Sequence, residues 1–188
     1  MKKVMLTLVL SLIPVAPAFA QTRTPHVEVF GGFSYLNADT NGLSKRRSLE
    51  GWETSASVDL MKYVAVEGDV SGYYENHILG GPINGRDYGF AGGPRFKYRQ
   101  FFVHSLFGAD RLSGTEPIAI SGVSVSASQT AFMFIQGGGV QLKIAPHVAV
   151  RTSADWVLTR HNISGANRVD QNNFRVGVGL VFTFGGGR

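Results

Sequence analysis

From His26 onward, apolar and polar side chains alternate with a period of two, and no stripe of helical spacing is sustained. This alternation is typical of β-strands whose two faces meet different surroundings. We predict eight strands, at 26–36, 51–60, 64–74, 88–98, 101–111, 129–144, 148–159 and 173–184. Each strand has about the ~9–11 residues that a tilted strand needs to cross a bilayer, or somewhat more.

The segments between the predicted strands alternate between long and short. Long connections are expected at 37–50, 75–87, 112–128 and 160–172, and short ones at 61–63, 99–100 and 145–147. This pattern is typical of an up-and-down barrel whose two rims face different compartments. We therefore predict an all-β fold, an eight-stranded antiparallel up-and-down transmembrane β-barrel, with both termini on the short-turn side, in the periplasm.

The alternation predicts that every strand has one face free of charge. Aromatic residues stand near the ends of this face, as they do at the lipid–water interfaces of membrane proteins. They are Tyr35, Trp52, Tyr74, Tyr88 and Trp156 near the long loops, and Tyr63 and Tyr98 near the short turns. A soluble β-sandwich also alternates, but these belts, and an opposite face that mixes both signs of charge, favour the membrane barrel.

The opposite face is predicted to line the lumen, and it carries both acids and bases. The charged residues assigned to it are Glu28, Glu53, Asp59, Glu67, Asp69, Arg95, Lys97, Asp110, Lys143, Arg151, Asp155 and Arg175. Eight strands leave an interior just wide enough for side chains, and charges buried there must be paired. We expect cross-strand ion pairs that plug the lumen, with a small gated ion path as the alternative.

Residues 1–20 have the parts of a secretory signal peptide. Met1-Lys2-Lys3 is positively charged, an apolar run from Val4 to Val15 follows, and Ala18-Phe19-Ala20 forms a small-x-small cleavage site. The apolar run is shorter than the ~20 residues of a spanning helix. We therefore expect export, cleavage after residue 20 and a mature barrel domain at 21–188.

Composition narrows the function classes further. The 188 residues carry a net charge of +5 and contain no cysteine, which excludes disulfide scaffolds, thiol catalysis and cysteine zinc sites. Without a concentrated basic face, nucleic acid is not an expected partner. The five histidines lack the spacing of paired metal ligands, so neither a metal nor another cofactor is expected.

A lipid-modifying barrel enzyme is a further alternative. A deacylase of this kind needs His and Ser on one lipid-facing side, hence two residues apart on a strand. His104 and Ser105 are adjacent and so point to opposite faces, and His104 is predicted to be a hydrogen-bonding residue of the lumen. The inward charges also disfavour an apolar acyl pocket, so we expect no enzyme activity.

The last predicted strand contains Gly179, Phe182 and Phe184 in the order Gly-x-x-aromatic-x-aromatic. This order resembles the C-terminal signal of bacterial outer-membrane barrels, and residues 27–35 are similar to the first strand of small eight-stranded ones. The chain thus resembles the small barrels of the outer-membrane protein A transmembrane-domain type and the outer-membrane protein X type. Such barrels consist of the outer membrane protein beta-barrel domain. The resemblance implies a place in the outer membrane of a Gram-negative-type envelope, and the barrel-assembly machinery as a partner during biogenesis.

The long loops are the expected place of function, since rigid scaffolds carry function on loops. Lys45, Arg46 and Arg47 form a basic cluster that is a candidate contact for lipopolysaccharide phosphates, unless these are simply solvated loop charges. Residues 112–128 alternate around a Ser-Gly turn signal, which predicts a hairpin extension whose edge could pair with a surface protein. We therefore expect a structural or surface-interaction role, in envelope integrity, adhesion or partner binding through four long extracellular loops.

Overall fold

A computed structural model describes residues 26–39, 46–75, 84–117, 124–161 and 169–185. The strands are β1 (Val27–Ala38), β2 (Arg47–Asp59), β3 (Val64–Glu75), β4 (Asn84–Tyr98), β5 (Phe101–Pro117), β6 (Ser124–Ala145), β7 (Val148–His161) and β8 (Val169–Phe184). Within these ranges there is no helix that is long and apolar enough to cross a membrane. The predicted signal peptide, residues 1–20, lies outside the described residues.

The eight strands form one closed antiparallel barrel in chain order. Consecutive strands pair along the chain, and the ring closes where β1 pairs with β8, for instance at Gly32 opposite Gly179. Each strand therefore pairs with a neighbour on both sides. Among the described residues, β6 extends beyond β7, with which it pairs only from Phe132 onward. Closure of this kind is what β-structure needs in hydrocarbon, where no water satisfies a free edge. The predicted fold class is confirmed.

All eight strands run further than predicted at the end away from the short turns. The extension is greatest in β5 and β6, which stay paired as far as Pro117 opposite Ser124. This confirms the predicted hairpin extension, whereas its Ser121-Gly122 turn lies outside the described residues. We call this end of the barrel the outer rim, and the end with the short turns the terminal rim.

The outward face of the barrel carries large apolar side chains that remain exposed, such as Phe33, Phe90 and Phe107. The predicted aromatic belts lie toward the two rims. Tyr63 and Tyr98 border the short turns, whereas the outer belt lies several residues inside the extended strand ends, as Trp52 does in β2. At the outer rim, the Trp52 Nε1 donates a hydrogen bond to the Tyr74 hydroxyl at 3.1 Å. Exposed apolar surface between two aromatic belts matches the lipid-facing band of membrane barrels.

The interior contains little apolar packing. One small cluster joins Leu106, Met133, Ile135 and Val157 from β5, β6 and β7. A second joins Phe30, Ala149 and Val181 from β1, β7 and β8. Most other large buried side chains are polar or charged, so contacts between charges must supply much of the packing inside the barrel.

Candidate functional site

The lumen nearest the terminal rim is filled by four charged side chains from four strands. We call them the terminal cluster: Glu28, Glu67, Arg95 and Arg151, all buried. Arg151 donates hydrogen bonds from Nη2 to Glu28 Oε2 and from Nη1 to Glu67 Oε1, each at 3.3 Å. The Arg95 Nη1 lies 3.5 Å from the same two carboxylates. Two acids and two bases thus neutralise one another inside the barrel.

Two uncharged side chains orient the arginines of the terminal cluster. The guanidinium carbons of Arg95 and Arg151 lie 4.1 and 5.1 Å from the centre of the Phe102 ring. The Gln141 Oε1 accepts hydrogen bonds from Arg95 Nη2 at 3.1 Å and from Arg151 Nη2 at 3.0 Å. Flat guanidinium groups can stack on an aromatic face and bond in their own plane at the same time, which a lysine ammonium cannot do.

His104 links the terminal cluster to a second group of charges further up the lumen. Its Nδ1 lies 2.9 Å from Glu67 Oε2, and its Nε2 lies 3.0 Å from Asp155 Oδ1. An imidazole satisfies two ionised carboxylates in this way only when both ring nitrogens carry a proton. His104 therefore acts as a cation that bridges β3 and β7, in line with its prediction as a hydrogen-bonding residue of the lumen.

The second group, the outer cluster, comprises Glu53, Asp69, Asp155 and Arg175, which are all buried. Arg175 donates from Nε to Asp155 Oδ2 at 2.9 Å and from Nη1 to Asp69 Oδ1 at 3.0 Å. The Glu53 Oε2 lies 3.7 Å from the same Nε. One guanidinium thus serves three carboxylates, and His104 supplies the second positive charge near them.

Glycines opposite these charges make the room that they need. Gly137 lies between His104 of β5 and Asp155 of β7 in one cross-strand row. A Cβ at Gly137 would come closer to Asp155 Oδ1 than real Cβ atoms approach any neighbour, and one at Gly177 would lie 2.9 Å from Glu53 Oε2. At these two positions glycine therefore leaves space for the luminal carboxylates Asp155 and Glu53.

Lys97 and Asp59 close the mouth of the lumen at the terminal rim. The Lys97 Nζ donates to Glu28 Oε1 at 3.2 Å and to Asp59 Oδ1, and His26 Nδ1 lies 3.3 Å from Asp59 Oδ2. Lys143, in contrast, is exposed. It pairs with the buried Ala149, next to a register shift before Ala145, so it lies on the luminal face but at the solvent-exposed mouth of the terminal rim.

Near the outer rim, two carboxylates line one small cavity. Asp110 was predicted to be luminal, whereas sequence reasoning missed Asp87, because the predicted strand began one residue after it. Both line a cavity of about 20 Å³ together with Ser71, Thr159 and other residues. This is room for about one water molecule, so the lumen is nearly filled here as well.

The predicted lipopolysaccharide contact falls at the outer rim, partly outside the described residues. Lys45 lies outside them, and Arg47 begins β2 opposite Ala38. Arg46 is held by the barrel, since its Nη2 donates to the Asn172 carbonyl oxygen at 2.8 Å and its Nε to the Asn37 side chain. Arg46 therefore ties the start of β2 to β1 and β8.

Two other arginines present their charges outward at the same rim. Arg86 is opposite Tyr74 and Arg111 is opposite Tyr88, and both are exposed. Arg111 corrects the expectation that the outward face is free of charge. At the membrane interface an outward arginine costs only about 0–1 kcal/mol, against ~2–4 kcal/mol at the midplane, which explains why it is found beside the tyrosines.

The residues of the predicted C-terminal signal divide between the two faces of β8. Gly179 lies opposite Gly32 across the closing seam, where an added Cβ would meet the backbone of β1. Phe182 and Phe184 are exposed on the outward face, opposite Val29 and Val27. The two aromatics thus contribute to the apolar band, and the glycine to the close approach of β1 and β8.

The structure does not bring His104 and Ser105 together. His104 is buried between Glu67 and Asp155, whereas the Ser105 hydroxyl donates to Gln136 Oε1 at 2.5 Å on the outward side. Within the described ranges, no group of three or more histidine or acidic side chains is arranged to hold a metal ion.

A closed eight-stranded barrel with an apolar exterior and a charged interior defines a small membrane-barrel protein. The sequence matches the model of the outer membrane protein beta-barrel domain family over residues 5–182. The chain therefore belongs to this family, and its place is the bacterial outer membrane. No curated protein sequence matches the chain.

Solved outer-membrane barrels share this fold. Ail, the attachment invasion locus protein of Yersinia pestis, in complex with the heparin analogue sucrose octasulfate, is 17% identical; the match covers 86% of this chain and 100% of Ail, with a TM-score of 0.62. Ail without that compound matches at 15% identity, 87% and 100% coverage and a TM-score of 0.58. A major outer membrane protein from Thermus thermophilus is 10% identical over 85% of this chain and 99% of its own, with a TM-score of 0.58. At these identities the likeness shows the fold.

Proposed function

We propose that this protein is a structural and surface-interaction barrel: a plugged scaffold whose outer rim faces the cell exterior and contacts anionic partners. The observation that carries the proposal is the unbroken chain of ion pairs from the terminal cluster through His104 to the outer cluster. A lumen filled in this way holds the strands in a fixed register and leaves the rim as the surface that meets other molecules.

The energetics of the charge network favour a plug over a pore. An ion that crosses the lumen must displace Arg95 and Arg151 from the carboxylates of the terminal cluster. Breaking a buried pair by removing one partner costs about 3–5 kcal/mol, and here two arginines share the same two acids. The small gated pore is therefore the less favoured alternative.

Planar-bilayer recording tests the plug. We expect the wild-type mature protein to give no steady channels of nanosiemens size. A variant that replaces both Arg95 and Arg151 with alanine should give ion flow, because it empties the terminal cluster of its two largest side chains. Steady nanosiemens channels in the wild type would overturn the plugged scaffold and support the pore.

The outer rim supports a role in contact with acidic polymers. Arg86 and Arg111 are exposed beside the tyrosine belt, at the level where lipopolysaccharide phosphates lie. Juxtamembrane Lys or Arg contributes about 1 kcal/mol each to attraction by anionic headgroups. Ail, which shares the fold, was solved with a heparin analogue, and a polysulfated ligand of that kind has the charge that such a rim would attract.

Binding to immobilised heparin and to lipopolysaccharide tests this contact. We expect R86Q/R111Q to elute from heparin at lower salt than the wild type, while K143Q, which removes an exposed charge from the terminal rim, elutes unchanged. If both variants elute with the wild type, the outer rim is not the contact surface.

We also propose that the protein has no catalytic role. The support is that His104 bonds to two luminal carboxylates whereas Ser105 bonds on the outward face, so these two residues do not form a nucleophile–base pair. Lipid A from expressing cells should keep its mass. A mass change that disappears in S105A would contradict this proposal and support a lipid-modifying enzyme.

We also propose that the barrel-assembly machinery recognises β8 during biogenesis through Gly179, Phe182 and Phe184. The support is the exposed pair of aromatics at the end of the last strand. F182A/F184A should reduce the amount of heat-modifiable barrel in the outer membrane more than F174A does, since Phe174 is an equally exposed outward aromatic outside the motif. Equal amounts from both would refute this role.

A further inference from the structure

An apolar groove lies on the lipid-facing surface at the terminal rim. Its volume is about 250 Å³, and its walls include Tyr63, Phe96, Tyr98, Phe101 and Val103. Phe96 is paired with Val103 and Tyr98 with Phe101, so two cross-strand pairs of β4 and β5 form its floor. Tyr63, from the turn between β2 and β3, closes one side, with its ring centre 6.2 Å from that of Tyr98.

Two cations stand over the two tyrosines of this groove. The Lys62 Nζ lies 5.0 Å from the centre of the Tyr63 ring, and the Arg99 guanidinium carbon lies 5.5 Å from the centre of the Tyr98 ring. Both basic residues are exposed. The polar end of the groove therefore carries two positive charges held on adjacent rings, at the level where membrane headgroups meet the barrel.

The backbone at Arg99 adds an independent observation. Arg99 and Gln100 form the two-residue turn between β4 and β5, and Arg99 has a φ of 54°. It is the one non-glycine residue with positive φ in the part of the chain that the structure describes. Such turns favour Gly, Asn or Asp, and a strained residue kept by the surrounding structure points to a function. Here the strained position is the one that places a guanidinium at the groove.

We propose that this groove binds an anionic phospholipid of the periplasmic leaflet, with one acyl chain along the aromatic floor and the phosphate between Lys62 and Arg99. The volume of the groove is below the ~300–1,000 Å³ of pockets that enclose a whole small molecule, so the groove suits a segment of an acyl chain. The proposal rests on the orientation given under the proposed function, with the terminal rim in the periplasm.

The two parts of the groove contribute differently to this binding. Lipid tails are as apolar as the protein surface, so the aromatic floor gains no hydrophobic driving force over bulk lipid. Selectivity must then come from the headgroup. Two cations favour a lipid with net negative charge, such as phosphatidylglycerol, over zwitterionic phosphatidylethanolamine, whose ammonium they repel.

Native mass spectrometry of the mature protein with defined lipids tests the site. With equal amounts of phosphatidylglycerol and phosphatidylethanolamine, we expect the wild type to retain one phosphatidylglycerol preferentially. Removing one cation, in R99G or K62Q, should weaken this retention about fivefold, as expected for ~1 kcal/mol per basic residue near a headgroup. The matched control is K143Q, which removes an exposed charge from the same rim outside the groove and should retain the lipid as the wild type does.

A second readout separates lipid binding from folding. Because glycine accepts positive φ without strain, R99G should unfold at a higher denaturant concentration than the wild type while it binds less phosphatidylglycerol. The proposal is overturned if the wild type retains both phospholipids equally, or if K143Q loses as much as R99G. Displacement of phosphatidylglycerol by lipopolysaccharide would also overturn the proposal. Bilayer conductance and heparin elution test the proposed function, and their results do not depend on whether this groove binds lipid.

Discussion

Replacing Arg175 with methionine should destabilise the barrel more than any loss of a surface charge. Arg175 is 1% exposed and donates hydrogen bonds to both Asp155 and Asp69. Each charge-assisted hydrogen bond contributes about 1.5–3 kcal/mol, and removing one partner of a buried pair costs about 3–5 kcal/mol. Methionine keeps much of the volume, so we expect a loss of about 3–5 kcal/mol, caused mainly by the carboxylates that are left without their cation.

The barrel offers a matched control for this substitution on neighbouring strands. Arg160 donates to Asp170 at 2.7 Å, but these side chains are 43% and 45% exposed. An exposed pair of this kind contributes about 0–1 kcal/mol, so R160M should change stability little. R175M combined with D69N should recover part of the loss, because it removes one of the unpaired charges.

Denaturant titration of protein refolded into lipid vesicles measures these effects. Folded barrel is scored at each concentration by its different migration on a gel before boiling, and the free energy of unfolding is extrapolated to zero denaturant. If R175M lowers the stability no more than R160M does, the outer cluster does not stabilise the barrel, and the charge network is not the packing of the lumen.

Three further substitutions test other parts of the account by the same titration. G137A should cost several kcal/mol, because the added methyl group displaces Asp155 from His104; stability equal to the wild type would contradict the tight fit of the lumen. V178R should cost about 2–4 kcal/mol, as an outward charge near the bilayer midplane does, and no loss would place this position outside hydrocarbon. L106A should cost about 2–5 kcal/mol, since it empties a fully buried site in the apolar cluster; a loss below ~1 kcal/mol would show that the lumen collapses onto the gap.

The barrel could be predicted from the sequence because its two faces meet opposite surroundings along every strand. A one-residue slip would turn every side chain to the other face, so the positions of charges such as Glu67 and Asp69 fix the phase of β3. The outer ends of the strands were less predictable. The alternation fades near the tyrosine belt, so β4 was predicted to begin at Tyr88 rather than at Asn84, and Asp87 was missed although it lines the lumen.

The pairing of the luminal charges could not be predicted from the sequence. Arg175 on β8 bonds to Asp69 on β3, 106 residues away, and these strands are not neighbours in the sheet. Such contacts cross the lumen, and they depend on the shape of the closed barrel and the reach of each side chain. In the terminal-rim groove, by contrast, the pairing of the consecutive strands β3 and β4 brings Tyr63 next to Tyr98.

The barrel presents apolar side chains to hydrocarbon and keeps its other face sealed from both lipid and water. Phe107 and Phe102 test this arrangement on one strand, since Phe107 is exposed on the outward face and Phe102 is buried in the lumen. F107W and F102W, each made with Trp52 and Trp156 replaced by phenylalanine, are refolded into vesicles that contain brominated acyl chains. We predict that the brominated lipid quenches the fluorescence of F107W but not of F102W, and that aqueous iodide quenches neither. Strong quenching of F107W by iodide, with none by the brominated lipid, would contradict the account.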